Sequence, residues 1–89
     1  MESNIDKLIN GFNEKAVKCF SRGNYVDAIK YFNEVLKIDA SNFSVWNNLG
    51  QTYRANGKIK LAENCFMKAI AIKPSFPEPH MNLGLIYSS

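Results

Sequence analysis

Apolar residues recur along this chain at the spacing of one helical face, and the pattern breaks at regular intervals. Ile9, Phe12, Ala16 and Cys19 fall three or four residues apart, and after Gly23 so do Tyr25, Ala28, Ile29, Phe32, Val35 and Leu36. Trp46, Leu49, Gly50 and Tyr53 form the next face. Gly57 follows, then Ile59, Ala62, Phe66, Ala69 and Ile70, and then Pro74. Glycine after such a run can take the left-handed conformation of a helix C-cap, and proline cannot continue a helix. The pattern predicts helices over about 4–22, 25–38, 43–56, 59–72 and 77–88. Ser3 with Asp6, and Ser75 with Glu78, read as capping-box-like starts for the first and last of them. Connections this short force consecutive helices to lie antiparallel and adjacent.

The pattern is also periodic at a longer scale. A shift of 34 residues aligns Gly23 with Gly57, Ala28 with Ala62, Phe32 with Phe66 and Ile38 with Ile72. The same shift carries Asn48-Leu49-Gly50 and Tyr53 onto Asn82-Leu83-Gly84 and Tyr87, with no gap. Self-similarity at a fixed period of this length marks a stacked helical repeat. The reading is one all-α domain over 1–89: repeat one at about 9–42, repeat two at about 43–76 and a half repeat at 77–89.

Trp46, Leu49, Gly50, Tyr53, Ala62, Phe66, Ala69 and Pro74 resemble the full signature of the tetratricopeptide repeat (TPR) family, with its spacing intact. The resemblance covers residues 9 to 89. It implies a right-handed superhelix of antiparallel helical hairpins, five helices in about two and a half repeats, the first helix of each lining a concave groove. The physics agrees: Gly50, Ala62 and Ala69 are small where helices must approach closely, and Trp46, Tyr53 and Phe66 fill the gaps. Repeat one departs from the signature, with Lys15 where Leu49 and Leu83 stand, Cys19 where Tyr53 and Tyr87 stand, and Ala40 in place of Pro74. A terminal repeat has a solvent-facing side, which accounts for a degraded first helix. His80 occupies the seat of Trp46 and reads as a partly exposed packing residue. The last helix keeps Met81, Leu83, Leu85, Ile86 and Tyr87 apolar on several sides, so the array reads as cut rather than finished there.

Composition narrows the chemistry. The 89 residues carry a net charge of +3, but the lysines are interleaved with acids rather than gathered on one face, so no nucleic-acid partner is expected. The two cysteines, Cys19 and Cys65, lack metal-ligand spacing and lie in apolar stripes, as buried reduced thiols do. His80 is the only imidazole, the glutamates are scattered, and Gly11, Gly23 and Gly57 stand singly. Nothing here assembles a nucleophile with its base or a phosphate loop, so neither catalysis nor a cofactor is expected. With no apolar run near the length of a membrane span and no basic-then-apolar start, no membrane association and a cytoplasmic location are expected.

That leaves recognition. The first helices of the repeats would present Asn10, Asn13, Glu14, Val17 and Phe20, then Ser44, Asn47, Asn48, Gln51 and Arg54, then Glu78, Met81, Asn82 and Leu85. Asparagine amides offer both a donor and an acceptor, the complement of a peptide bond. Asn48 and Asn82, one repeat apart, are expected to form a ladder along an extended backbone. Arg54 suits an acidic group, and Val17, Phe20, Met81 and Leu85 suit apolar side chains. One TPR subclass holds acidic chaperone tails in a clamp of two Lys, an Arg and two Asn. The matching sites here are Asn13, Val17, Asn48, Glu78 and Asn82, of which only Asn48 fits, so that ligand is not expected. The expected function is a non-catalytic protein-interaction module that takes a protein or extended peptide in the groove. The alternatives are a self-assembly scaffold, forming a homo-oligomer through the open last helix, or the recognition arm of a larger enzyme. For the arm, the run Ile72 to His80 with Asn82-Leu83 is similar to the arrays attached to nucleocytoplasmic glycosyltransferases.

Overall fold

A computed structural model describes residues 2–88. Five helices follow one another: α1 (Asn4–Ser21), α2 (Tyr25–Ile38), α3 (Phe43–Ala55), α4 (Ile59–Ile72) and α5 (Pro77–Tyr87). The described residues contain no strand. α1 packs most extensively on α2, and α3 on α4, while α2 meets α3 and α4 meets α5 across smaller contacts. The result is two helical hairpins and a fifth helix, stacked in chain order as a TPR-like array.

The repeat is visible atom by atom at the hairpin turns. Gly23 and Gly57 take φ of 76° and 79°, the left-handed region that costs a side chain most. Around Gly23, the Asn24 N–H donates to the Cys19 carbonyl at 2.8 Å and the Gly23 N–H to that of Phe20 at 3.0 Å. Lys58 to Tyr53 and Gly57 to Arg54 repeat these bonds at the same distances. This paired closure satisfies carbonyls that a helix end leaves open.

Helix starts are less uniform. The Ser3 hydroxyl accepts from the Asp6 N–H, as the sequence suggests, and the Asn42 side chain caps α3 through the Val45 N–H. Ser75 does not cap α5. That helix begins at Pro77 with Phe76 as its N-cap and no side-chain cap bond. Proline at the first helical position has its φ already set and lacks the N–H a cap would serve. Phe76 is held instead by its edge-on contact with Phe43, ring centroids 5.2 Å apart.

The core runs along the hairpin seams. Ala16, Ala28, Phe32, Val35, Val45, Leu49, Ala62, Cys65, Phe66 and Ala69 are buried. Trp46 and Tyr53 are only half-buried, and Ile59, read as part of the α4 stripe, is largely exposed. Two equivalent struts brace the joins between repeats. The Trp46 indole N–H donates to the Ala40 carbonyl at 2.8 Å, and His80 Nε2 meets the Pro74 carbonyl at 2.9 Å, 34 residues further on. A carbonyl only accepts, so Nε2 carries the proton. His80 is exposed, and its strut is what it contributes to packing.

Candidate functional site

The 34-residue register predicts one face shared by α1, α3 and α5, and the structure divides it into two unlike halves. Between α1 and α3 lies a cavity of about 160 Å³, lined by Val17, Phe20, Phe32, Asn48, Gln51 and Thr52. Phe32 and Thr52 form its buried floor. The Thr52 hydroxyl is satisfied by donating to the Asn48 carbonyl at 2.8 Å, so the floor makes no polar demand. Phe20 is braced by Tyr25, ring centroids 5.5 Å apart, and Val17 is exposed at the rim. The half-buried side chains of Asn48 and Gln51 add amides to these apolar walls. Next to this site in the sequence, Asn13 has its Oδ1 fully buried and without a hydrogen-bond partner among the described residues. A buried acceptor left in that state is costly.

The second half is closed. Asn82 Nδ2 donates to Asn47 Oδ1 at 3.0 Å, and both side chains are buried between α3 and α5. The expectation that Asn82 stands beside Asn48 in an outward-facing ladder is corrected here, and so is the placing of Asn47 on an open surface. The physical reason is that the contact joins residues 35 apart, one position off the repeat. An amide on one first helix reaches the neighbouring position on the next, and burial then requires the two to pair. The same offset relates Asn13 to Asn48 in the other half.

The remaining residues divide by exposure. Met81 and Leu85 are exposed on α5, as are Asn10, Glu14, Ser44 and Glu78 on their helices. Asn10 donates to Glu2. Arg54 is half-buried in the last turn of α3, where its charge also suits the helix C-terminus. At the end of α5 the exposed Tyr87 phenol pKa is raised, chiefly by hydrogen bonding with the Glu63 side chain of α4 and to a lesser extent by desolvation and that side chain's negative charge. Thr52 and Phe32 as the cavity floor were not foreseen as site residues. The spacing of Thr52 four residues after Asn48 on one helix is the signal that places it there.

Among the described residues no group of three or more His, Cys, Asp or Glu side chains converges as a metal site would require. No helix among them is long and apolar enough to cross a membrane.

Comparison with known proteins gives the same pattern. Residues 43–76 match the family described as "Tetratricopeptide repeat", and residues 16–57 match one described as "TPR repeat". The chain is 30% identical over 67 residues to an Hsp70-Hsp90 organising protein of Plasmodium falciparum, a match covering 75% of this chain and 27% of that protein. It is 30% identical over 76 residues to the photosystem I assembly protein Ycf3 of Prochlorococcus marinus, covering 82% of this chain and 44% of the relative. It is 29% identical over 82 residues to the anaphase-promoting complex subunit CDC16 of Saccharomyces cerevisiae, covering 84% and 10%. The chain therefore spans less than half the length of each of these relatives.

Proposed function

The chain belongs to the tetratricopeptide repeat family, and from that premise we propose that it is a non-catalytic protein-interaction module whose partner lies as an extended segment across α1, α3 and α5. The observation that carries this reading is the cavity between α1 and α3, with its apolar floor of Phe32 and Thr52 and its amides of Asn48 and Gln51. An apolar hollow with a few placed polar groups is the usual form of a recognition site. Val17 and Phe20 receive an apolar side chain, and Arg54, further along α3, receives an acidic one. Met81 and Leu85 extend the apolar contact onto α5. Asn47 and Asn82 contribute rigidity rather than contact. The names of the relatives, an organising protein, an assembly protein and a complex subunit, accord with a role in holding other proteins. A cytoplasmic setting and a partner other than nucleic acid or membrane complete the reading.

The test is affinity capture with the immobilised chain, scored by the proteins retained. The double variant Asn48→Ala/Gln51→Ala should lose them while its helical circular dichroism stays native. Retention unchanged in that variant would sink the groove reading.

A second reading, self-assembly through α5, is favoured by a specific feature. Met81, Leu85 and Tyr87 are 67%, 51% and 64% exposed on this 11-residue helix. Met81 and Leu85 lie one turn apart on one face and Tyr87 on another, and apolar side chains exposed on a repeat helix favour contact with another chain. Sedimentation over a concentration range decides it, and a strictly monomeric species at the highest concentration rejects it.

A further inference from the structure

Among the positions at which the two hairpins differ, one pair leaves a vacancy. In the first hairpin Tyr31 of α2 stacks on Phe12 of α1, ring centroids 6.3 Å apart and planes 24° from parallel. Lys15 and Lys30 stand over the Tyr31 ring, their Nζ atoms 5.7 and 5.9 Å from its centroid. A shift of 34 residues turns Phe12 into Trp46 and Tyr31 into Cys65. The ring that covers Phe12 has no counterpart over Trp46.

A hollow of about 350 Å³ opens there, lined by Trp46, Leu49, Tyr53, Leu61, Cys65 and Lys68 among others. The exchange is partly reciprocal, since Tyr53 stands where the first hairpin has Cys19. Yet Tyr53 forms a wall of the hollow and leaves it open. Lys68 Nζ lies 5.9 Å from the Trp46 ring centroid, so a cation borders this hollow too, although it comes from the position of Glu34 in the first hairpin and sits over the wall ring, where Lys15 and Lys30 sit over Tyr31. The Cys65 thiol is buried, and burial pushes its pKa up to about 12, so this wall is neutral and apolar. Leu61 is exposed beside the opening. On a helix with 3.6 residues per turn, Trp46, Leu49 and Tyr53 lie on a different face of α3 from Asn48, Gln51 and Thr52. The hollow is therefore separate from the groove and independent of the reading given to it.

We infer that this hollow is a second binding site, and that it receives an aromatic side chain of a protein partner, packed against Trp46 beside Lys68 as Tyr31 packs against Phe12 beside Lys15 and Lys30. The first hairpin shows the occupant's chemistry within the molecule itself. A flat ring fills the space, its face meets the aromatic wall with a lysine alongside, and its edge is free to carry a polar group outward. An aliphatic side chain would fill part of the volume and gain neither the stacking nor the cation contact.

The experiment uses the intact chain and a blocked tripeptide, acetyl-Gly-Tyr-Gly-amide, against acetyl-Gly-Leu-Gly-amide. Trp46 is the only tryptophan, so its fluorescence reports the site, and methyl resonances of Leu49 and Leu61 report it independently. The tyrosine peptide should bind in the range of about 1 mM expected of so small a ligand and perturb all three residues. The leucine peptide should bind at least about tenfold more weakly. Cys65→Tyr places in the second hairpin the residue of the first, so it should fill the hollow and abolish binding. Leu61→Asp, which copies Asp27 of the first hairpin at an exposed position, should weaken binding with native circular dichroism, and it decides the matter if Cys65→Tyr fails to fold. Equal binding of the two peptides, undiminished binding in Leu61→Asp, or no perturbation of Trp46 at about 10 mM tyrosine peptide overturns the proposal.

Discussion

Asn82 reaches back across one repeat to Asn47, its Nδ2 donating to the Asn47 Oδ1 at 3.0 Å in a buried contact between α3 and α5. Each amide is the reason the other can be buried. Removing one leaves a desolvated polar group without a partner, a loss of about 1–3 kcal/mol. Asn47→Ala and Asn82→Ala should each destabilise by that order, which for a domain of this size lowers the melting temperature by several degrees. The double variant should cost clearly less than the sum, because the second substitution removes the group the first one stranded. Urea melts of the three variants measure this. Strict additivity would mean the two amides do not depend on one another.

A second contact separates two glycines that the repeat makes equivalent. A Cβ at Gly50 would lie 2.6 Å from Phe66 Cε1 and 2.8 Å from Cδ1, whereas one at Gly84 meets nothing within 4 Å. Phe66 is fully buried and has no room to swing aside. Gly50→Ala should therefore destabilise by about 1–3 kcal/mol through overpacking, more than the roughly 0.5–1 kcal/mol that alanine gains in a helix. Gly84→Ala should show that gain alone. Thermal melts should move in opposite directions, and a stabilising Gly50→Ala would show that the α3–α4 seam is loosely packed.

The contrast shows where sequence reasoning held and where it stopped. The helices were legible because apolar spacing, Gly23, Gly57 and Pro74 punctuate the chain at the points where helices end. The repeat was legible because those marks recur in one register. What a 34-residue alignment could not reveal is a contact between positions 35 apart, so the pairing of Asn47 with Asn82 was missed and both were placed on an open surface. It also could not tell that Ser75 yields to Pro77 at the start of α5, since both are ordinary helix-start residues and only the packing of Phe76 on Phe43 decides between them. Cavity residues such as Thr52 were hidden for a related reason. A threonine in mid-helix reads as surface until its hydroxyl is seen to turn back onto the Asn48 carbonyl.

The two large aromatics of the second repeat should not contribute equally. Phe66 is 0% exposed, and Phe66→Ala should cost about 3–5 kcal/mol, a large part of what a domain this small has to lose. Trp46 is only half-buried, so Trp46→Ala should cost less. Part of that cost is its indole bond to the Ala40 carbonyl, which Trp46→Phe isolates at about 1 kcal/mol. Chemical denaturation of the three variants tests the ranking, and a larger loss at Trp46 than at Phe66 would place the stabilising core on the wrong side of α3.

The buried thiol makes stability depend on alkaline pH in a direction that can be worked out. Burial raises the Cys65 pKa from 9.0 to about 12 in the folded chain, so the native state holds its proton where the unfolded state has released it. Below pH 9 both states are protonated and the group contributes no pH dependence. Between about 9 and 12 the unfolded state binds fewer protons, and stability falls as pH rises. The effect is read as a difference between the protein and Cys65→Ala, which cancels the contributions of every other group. The gap between their stabilities should shift in favour of the variant by roughly 1 kcal/mol for each pH unit above 9. Thiol chemistry gives an independent measure. Near pH 8 an aromatic disulfide reagent should modify the half-buried Cys19 quickly, and Cys65 only as fast as the α3–α4 hairpin opens, because the thiolate is the attacking form. Denaturant melts of both proteins from pH 7 to 10, together with the two reaction rates, test this. Parallel stability curves, or equal reactivity of the two cysteines, would mean that Cys65 is far better solvated than its place in the core allows.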